Sequence, residues 1–372
     1  MSDSSTNFYD LVQPAVKKVN PYVAGKPIDE LKREYKVSYV SKMASNENPL
    51  GSSLKVATAL HNFAANMSRY PDGSGHNLRE KLAAFLQVDM NQITIGNGSN
   101  ELLELVARVF AGPDDEVMYS QYGFAVYPIS AQIVGATAVE VPAKNFGHDL
   151  PAMLAAITAK TKLIYVANPN NPTGTLFRRD DWEAFISQVP SNVLVVLDEA
   201  YLEYAEHACN DGSYPNGVDY INAYPNLLVS RTFSKAYGLA SLRIGYMLGC
   251  AENISYINRL RMPFSVNAYA QVAAITALSD PQFVTKTLRT NDQGMMQVRN
   301  AVEAKGLEVI PSFANFITIK FGENALEIYE KLLREGVIVR PLANYGMTEY
   351  LRVSIGNNHE NNHFMGALNK VL

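Results

Sequence analysis

Cysteine is scarce: Cys209 and Cys250 are the only two in 372 residues. That is too few for a framework of several disulfides, and it fits a reducing compartment in which thiols stay free. Long hydrophobic runs are also missing, since no window reaches the ~18 uninterrupted apolar residues of a membrane span. No block of clustered Lys and Arg occurs and the net charge is −4. A nucleic-acid surface is therefore not expected, because neutralising phosphates needs such clusters. The opening stretch, MSDSSTNFYDLVQPAVKK, lacks a basic segment followed by an apolar one, so no secretory signal is expected and the reading is cytoplasmic. What is present is an ordinary globular balance, 47% hydrophobic and 18% charged residues, in a chain long enough for about two domains.

From about residue 75 the chain alternates amphipathic helices with short apolar runs. NLREKLAAFLQ (77–87) and SNELLELVARVF (99–110) have helical spacing, and QITIG (92–96) leads into the second of them. DEVMYS, ATAVEVP, TKLIYVANP, SNVLVVLDEAY, NLLVSRTFSK and RIGYMLG are β-rich pieces bounded by Gly, Pro, Asn or Asp. The run Val193–Leu197 shows no two-residue alternation, which predicts burial on both faces, as in a mostly parallel sheet flanked by helices. Ligands of such sheets bind beyond the carboxyl ends of the strands. After about residue 280 the pieces FANFITIKF, NALEIYEKLLREG, VIVRPL, EYLRVSIG and HFMGALNKVL read as a smaller α+β unit. The Pro- and Asn-rich first ~50 residues are expected to wrap onto it. The expected division is a large domain over 55–275 and a small domain from 1–54 and 276–372.

Three strand-end motifs carry the polar residues: ANPNNPTG (167–174), DEAY (198–201) and SKAYGLASLR (234–243). Each alone has a plain reading as a turn, an acidic loop or a surface lysine. Together they answer the needs of one chemistry, that of pyridoxal phosphate. This cofactor needs a lysine amine made nucleophilic by desolvation or nearby cations, and Lys235 lies among small and apolar residues. It needs a carboxylate at its ring nitrogen, which Asp198 at the end of a buried strand provides. Asn171 and Tyr201 carry donors suited to its ring oxygen. Its phosphate needs amides and a cation: Gly98, Ser99 and Asn100 open a helix directly after a strand. Thr232 and Ser234 add hydroxyls and Arg243 a fork of N–H groups. Tyr122 is a candidate to stack on the ring.

The pieces NPYVAGKP, ASNENPLG, RYPDGSG, GNGSNELL, NPNNPTG, DEAYLEY, SKAYGLASLRIGY and LRVSIG together resemble the fold-type-I pyridoxal-phosphate-dependent aminotransferases over essentially the full length. Within them the likeness is to the histidinol-phosphate branch, with aromatic amino-acid aminotransferases as the alternative on the same scaffold. The resemblance implies an α/β fold with a mostly parallel seven-stranded sheet and a small α+β domain. It implies that Lys235 is the covalent cofactor lysine, that Asp198 pairs with the ring nitrogen, and that Asn171 and Tyr201 bind the ring oxygen. It also implies a homodimer in which Tyr70 of the RYP motif reaches the partner's cofactor phosphate. Arg352 of LRVSIG would hold the amino donor's carboxylate, with Arg340, Tyr22 and Asn46 as further substrate contacts.

Two rival motifs are weaker. HENNH (359–363) fits a zinc-protease pattern, but it is polar and only nine residues follow it to supply a third ligand. GNGSNE has Glu101 where a dinucleotide fingerprint needs its third glycine. No metal is expected.

Overall fold

The computed structural model describes residues 8–21 and 25–372. In chain order its strands are β1 (Ser41–Lys42), β2 (Ile93–Gly96), β3 (Glu116–Ser120), β4 (Thr137–Val141), β5 (Thr161–Ala167), β6 (Leu194–Asp198) and β7 (Leu227–Thr232). β8 (Gly245–Gly249), β9 (Val309–Ile310), β10 (Phe316–Lys320), β11 (Val337–Ile338), β12 (Arg340–Leu342) and β13 (Met347–Ser354) follow.

Seven strands make the large sheet, in the order β2-β8-β7-β6-β5-β3-β4. Only β8 runs antiparallel to its neighbours; the other pairs are parallel. Every residue of β6 is buried, as an apolar run without alternation requires when helices cover both faces. One face packs Leu78, Leu82, Trp182 and Phe185 against the strands, and the other packs Leu102, Val106, Tyr127 and Ile254. From β3 the chain moves outward to β4, whereas from β5 it moves the other way to β6 and β7. The two halves part between β3 and β5, where sheets of this type open a crevice at their carboxyl ends.

A second, four-stranded antiparallel sheet has the order β12-β13-β10-β9. Its hydrophobic cluster includes Met43, Val298, Ile317, Leu332, Val353 and Phe364. The helices Pro281–Glu303, Ala325–Arg334 and Asn358–Val371 supply three of those residues. β1 pairs in parallel with β11, Ser41 opposite Val337, so the early chain joins the late unit. The HENNH stretch forms the first turns of the last helix. Asn357 caps them by accepting from the amides of His359 and Glu360, while Glu360 accepts from Asn357 N. Both ring nitrogens of His363 are engaged within the protein, with Ser41 Oγ and Glu335 O each at 2.9 Å. Among the described residues, no three His, Cys, Asp or Glu side chains are grouped to hold a metal, and no helix is long and apolar enough to cross a membrane. Both cysteines are free thiols.

Candidate active site

A cleft of about 270 Å³ opens above the carboxyl ends of β5, β6 and β7, lined on the far side by Arg340, Tyr345 and Arg352. Each motif reaches it by ending a strand. Asn171 lies in the turn after β5, Asp198 is the last residue of β6, and Lys235 follows β7 by three positions.

Lys235 Nζ donates to Ser45 O at 3.0 Å and lies 5.8 Å from the centre of the Tyr201 ring. Burial, and then the neighbouring Arg352 and Arg243 cations, push its pKa down to about 8, against the pull of Glu47. This amine is neutral in part near physiological pH, which an exposed lysine is not. Asp198 is 5% exposed. Burial raises its pKa to about 6, opposed by the hydrogen bond from Tyr127. Tyr127 Oη donates to Asp198 Oδ2 at 2.8 Å, while Asp198 Oδ1 is buried without a hydrogen-bond partner. A buried carboxylate oxygen left this way is costly unless a donor comes to it.

Tyr201 is buried, which pushes its pKa to about 12. Its Oη accepts from Asn46 Nδ2 at 2.8 Å, so its own proton stays available as a donor. Asn171 Oδ1 accepts from Arg352 Nη1, which leaves the Asn171 amide NH₂ as its donor group. Arg352 Nη2 donates to Ala44 O at 2.7 Å, and the guanidinium lies over the Phe316 ring at 5.2 Å.

An anion cradle closes one end of the cleft. Ser99 and Asn100 start the helix Ser99–Phe110, and Thr232, Ser234 and Arg243 face them. Arg243 Nη1 donates to Ala240 O at 3.1 Å and lies 3.4 Å from Ser234 Oγ. Gly98 has φ +83°, and a Cβ there would stand 2.4 Å from Arg243 Nη2. The glycine makes room for the guanidinium at the helix start.

Several expected residues lie elsewhere. Tyr122 does not line the cleft. Its backbone turns at φ +60°, and its ring stacks on Phe146 with centroids 6.0 Å apart, beside the small sheet. Phe124, two positions on, lines the cleft instead. Asn46 is 1% exposed and stands behind the wall, its amide donating to Tyr201 and its Oδ1 accepting from Ser354 Oγ; its neighbours Ser45 and Glu47 are the ones that line the cleft. Tyr70 is 83% exposed and stacked on Phe264, outside its own chain's cleft. Tyr22 lies outside the described residues. Tyr127 and Phe124 were missed from sequence, although both sit in YGFAVYP directly after a strand.

A half-buried lysine of lowered pKa, a buried carboxylate with an unpartnered oxygen, and an anion cradle thus share one cleft. Residues 39–368 match Aminotransferase class I and II, and the chain belongs to that family. Over 370 residues it is 59% identical to histidinol-phosphate aminotransferase 2 of Hydrogenovibrio crunogenus, covering 99% of this chain and 98% of that one. It is 52% identical to the Pseudomonas aeruginosa protein of the same name, with 99% of each covered. Among solved structures it superposes with a TM-score of 0.89 on histidinol-phosphate aminotransferase from Sinorhizobium meliloti in complex with pyridoxal-5'-phosphate, at 28% identity and 97% of each chain. Aspartate aminotransferase from Thermus thermophilus with maleate, 20% identical, shares the fold at a TM-score of 0.84, with 97% of this chain and 99% of that one covered.

Proposed function

We propose that the chain is a pyridoxal-phosphate-dependent aminotransferase that moves the amino group of histidinol phosphate to 2-oxoglutarate, in histidine biosynthesis. The observation that carries the reading is Asp198 Oδ1, buried, unpartnered and in the same cleft as Lys235. The residues present suit the cofactor: an open carboxylate oxygen for a protonated ring nitrogen, and a cradle at Gly98 whose space any other side chain would fill.

In this reading Asp198 holds the ring nitrogen, Asn171 and Tyr201 donate to the ring oxygen, and Phe124 covers a ring face. Ser99, Asn100, Thr232, Ser234 and Arg243 hold the phosphate. Bound there, pyridoxal phosphate supplies an electron sink that makes the proton on the substrate's amine-bearing carbon removable. Lys235 Nζ is the nucleophile that captures the cofactor and the base that takes that proton, and its lowered pKa leaves a neutral lone pair for both tasks. Asp198, as the anion, keeps a proton on the ring nitrogen by charge pairing. Arg340 and Arg352 bring two guanidinium groups to the cleft, a donor chemistry that suits a phosphate ester and a carboxylate alike. One site thereby serves the phosphate ester of histidinol phosphate and the carboxylates of 2-oxoglutarate.

The curated relatives' names support histidinol phosphate as the amine. We also propose a cytoplasmic homodimer in which Tyr70 of the partner subunit completes the phosphate site. Its exposure on a flat aromatic pair supports that role. The division into 55–275 and 1–54 with 276–372 is supported by the small unit's hydrophobic cluster, drawn wholly from outside 55–275. The test of the substrate is kcat/KM for histidinol phosphate against phenylalanine and tyrosine, with 2-oxoglutarate as acceptor. Histidinol phosphate is expected to lead; a higher value for either aromatic amino acid would overturn the assignment of the amine.

A further inference from the structure

Glu199 follows Asp198 and does not line the cleft. Its side chain has no exposed surface and that of Arg231 has 4%, and the two pair with Oε2 at 2.8 Å from Arg231 Nε and 2.7 Å from Nη2. Glu199 Oε1 accepts from Gly217 N at 2.8 Å. Tyr214 Oη stands 3.2 Å from that same oxygen and 2.6 Å from Asn168 O. Asn216 Oδ1 accepts from Arg231 Nη2 at 2.6 Å. The backbone adds Glu199 N to Ser230 O at 2.8 Å and Asn168 N to Asp198 O at 3.0 Å.

One carboxylate therefore touches, directly or through the Tyr214 hydroxyl, the chain leaving β5 and β6 and Arg231 near the end of β7. These are the three segments that present Asn171, Asp198 and Lys235 to the cleft. Replacing a buried ion pair by apolar residues is often neutral or stabilising, so fold stability is a weak account of this one. Position is a better account. We propose that Glu199, clamped by Arg231, is a positioning residue that fixes the three strand ends relative to one another and thereby presets the cleft for cofactor capture. The inference rests on the reading that the cleft takes pyridoxal phosphate. Arg231 also offsets a second negative charge next to Asp198, which would otherwise oppose its ionisation.

The test titrates apoenzyme with pyridoxal phosphate, follows thermal melting, and measures kcat for wild type, Glu199→Gln, Glu199→Gln/Arg231→Met, Tyr214→Phe and Val298→Ala. Val298 is buried in the distant small-sheet cluster and controls for destabilisation alone. Glu199→Gln should lower the melting temperature and weaken cofactor affinity about tenfold or more, the scale of lost hydrogen bonds to a charged group. The double variant, without an unpaired buried charge, should regain melting temperature but neither affinity nor kcat. Tyr214→Phe should weaken affinity about threefold with little change in melting. Val298→Ala should melt earlier with unchanged affinity. Wild-type affinity and kcat in the double variant, or unchanged affinity in Tyr214→Phe, would overturn the positioning role. Failure of wild type itself to bind the cofactor would overturn the reading of the cleft and this inference with it.

Discussion

Lys235 Nζ sits 3.0 Å from Ser45 O, and burial with the Arg352 cation pushes its pKa down to about 8. The sign follows from the charge: a cation beside an amine favours the neutral form, and so does loss of water. Covalent capture of cofactor by apoenzyme should accordingly speed up as pH rises and level off above about pH 8. In Arg352→Met the midpoint should move up, toward an ordinary lysine. A stopped-flow pH series measures it, and a midpoint that stays put or falls would contradict the cause given. Asp198 yields a second expectation. Asp198→Asn should retain cofactor but lose about 100-fold or more in kcat, the usual effect of removing one preorganised electrostatic contact. Steady-state kinetics beside a cofactor count checks it, and near-wild-type turnover would remove the carboxylate from the account.

The loop that joins β4 to the next helix carries His148, whose Nε2 lies within 3.1 Å of the Ala167 backbone at the end of β5. Burial holds this ring neutral, with a pKa of about 4 against an ordinary 6.5. A folded-state value below the unfolded one means that the stabilisation is complete above pH 6.5. It is lost as pH falls from there through 4, at most about 3 kcal/mol. His148→Gln should flatten that part of the melting-temperature curve, and a variant whose melting tracks wild type down to pH 4 would contradict the link. The same strand ends show which features were legible beforehand. NPNNPTG, DEAY and SKAYGLASLR each combine a turn with a residue of unusual chemistry at the end of a buried strand, and local pattern suffices to read them. Tyr122 and Phe124 are two aromatics in one turn. In the fold Tyr122 takes a positive φ and stacks on Phe146, while Phe124 meets the cleft, and neither outcome is written in the local pattern. Asn46 looked free to bind substrate until tertiary packing spent its amide on Tyr201. The partnership of Glu199 with Arg231 spans 32 positions and exists only once β6 and β7 lie side by side.

In the whole chain, sheet topology places the polar motifs at one crevice, the late segment brings Arg340 and Arg352 to its far side, and the early segment adds Ala44, Ser45 and Glu47. Tyr70 lies outside that arrangement, on an exposed aromatic pair. If it serves a second subunit, mixing Tyr70→Phe with Lys235→Ala under conditions of subunit exchange should restore part of the activity, because one cleft of each mixed dimer has both groups. Exchange without recovery would contradict the shared site. The most direct measurement for the account as a whole is peptide mass mapping after the holoenzyme is reduced with borohydride. The cofactor's mass should be fixed on the peptide containing Lys235, and it should be absent from Lys235→Ala, which should also be inactive. A cofactor adduct on another lysine, or a Lys235→Ala enzyme that still transaminates, would contradict it.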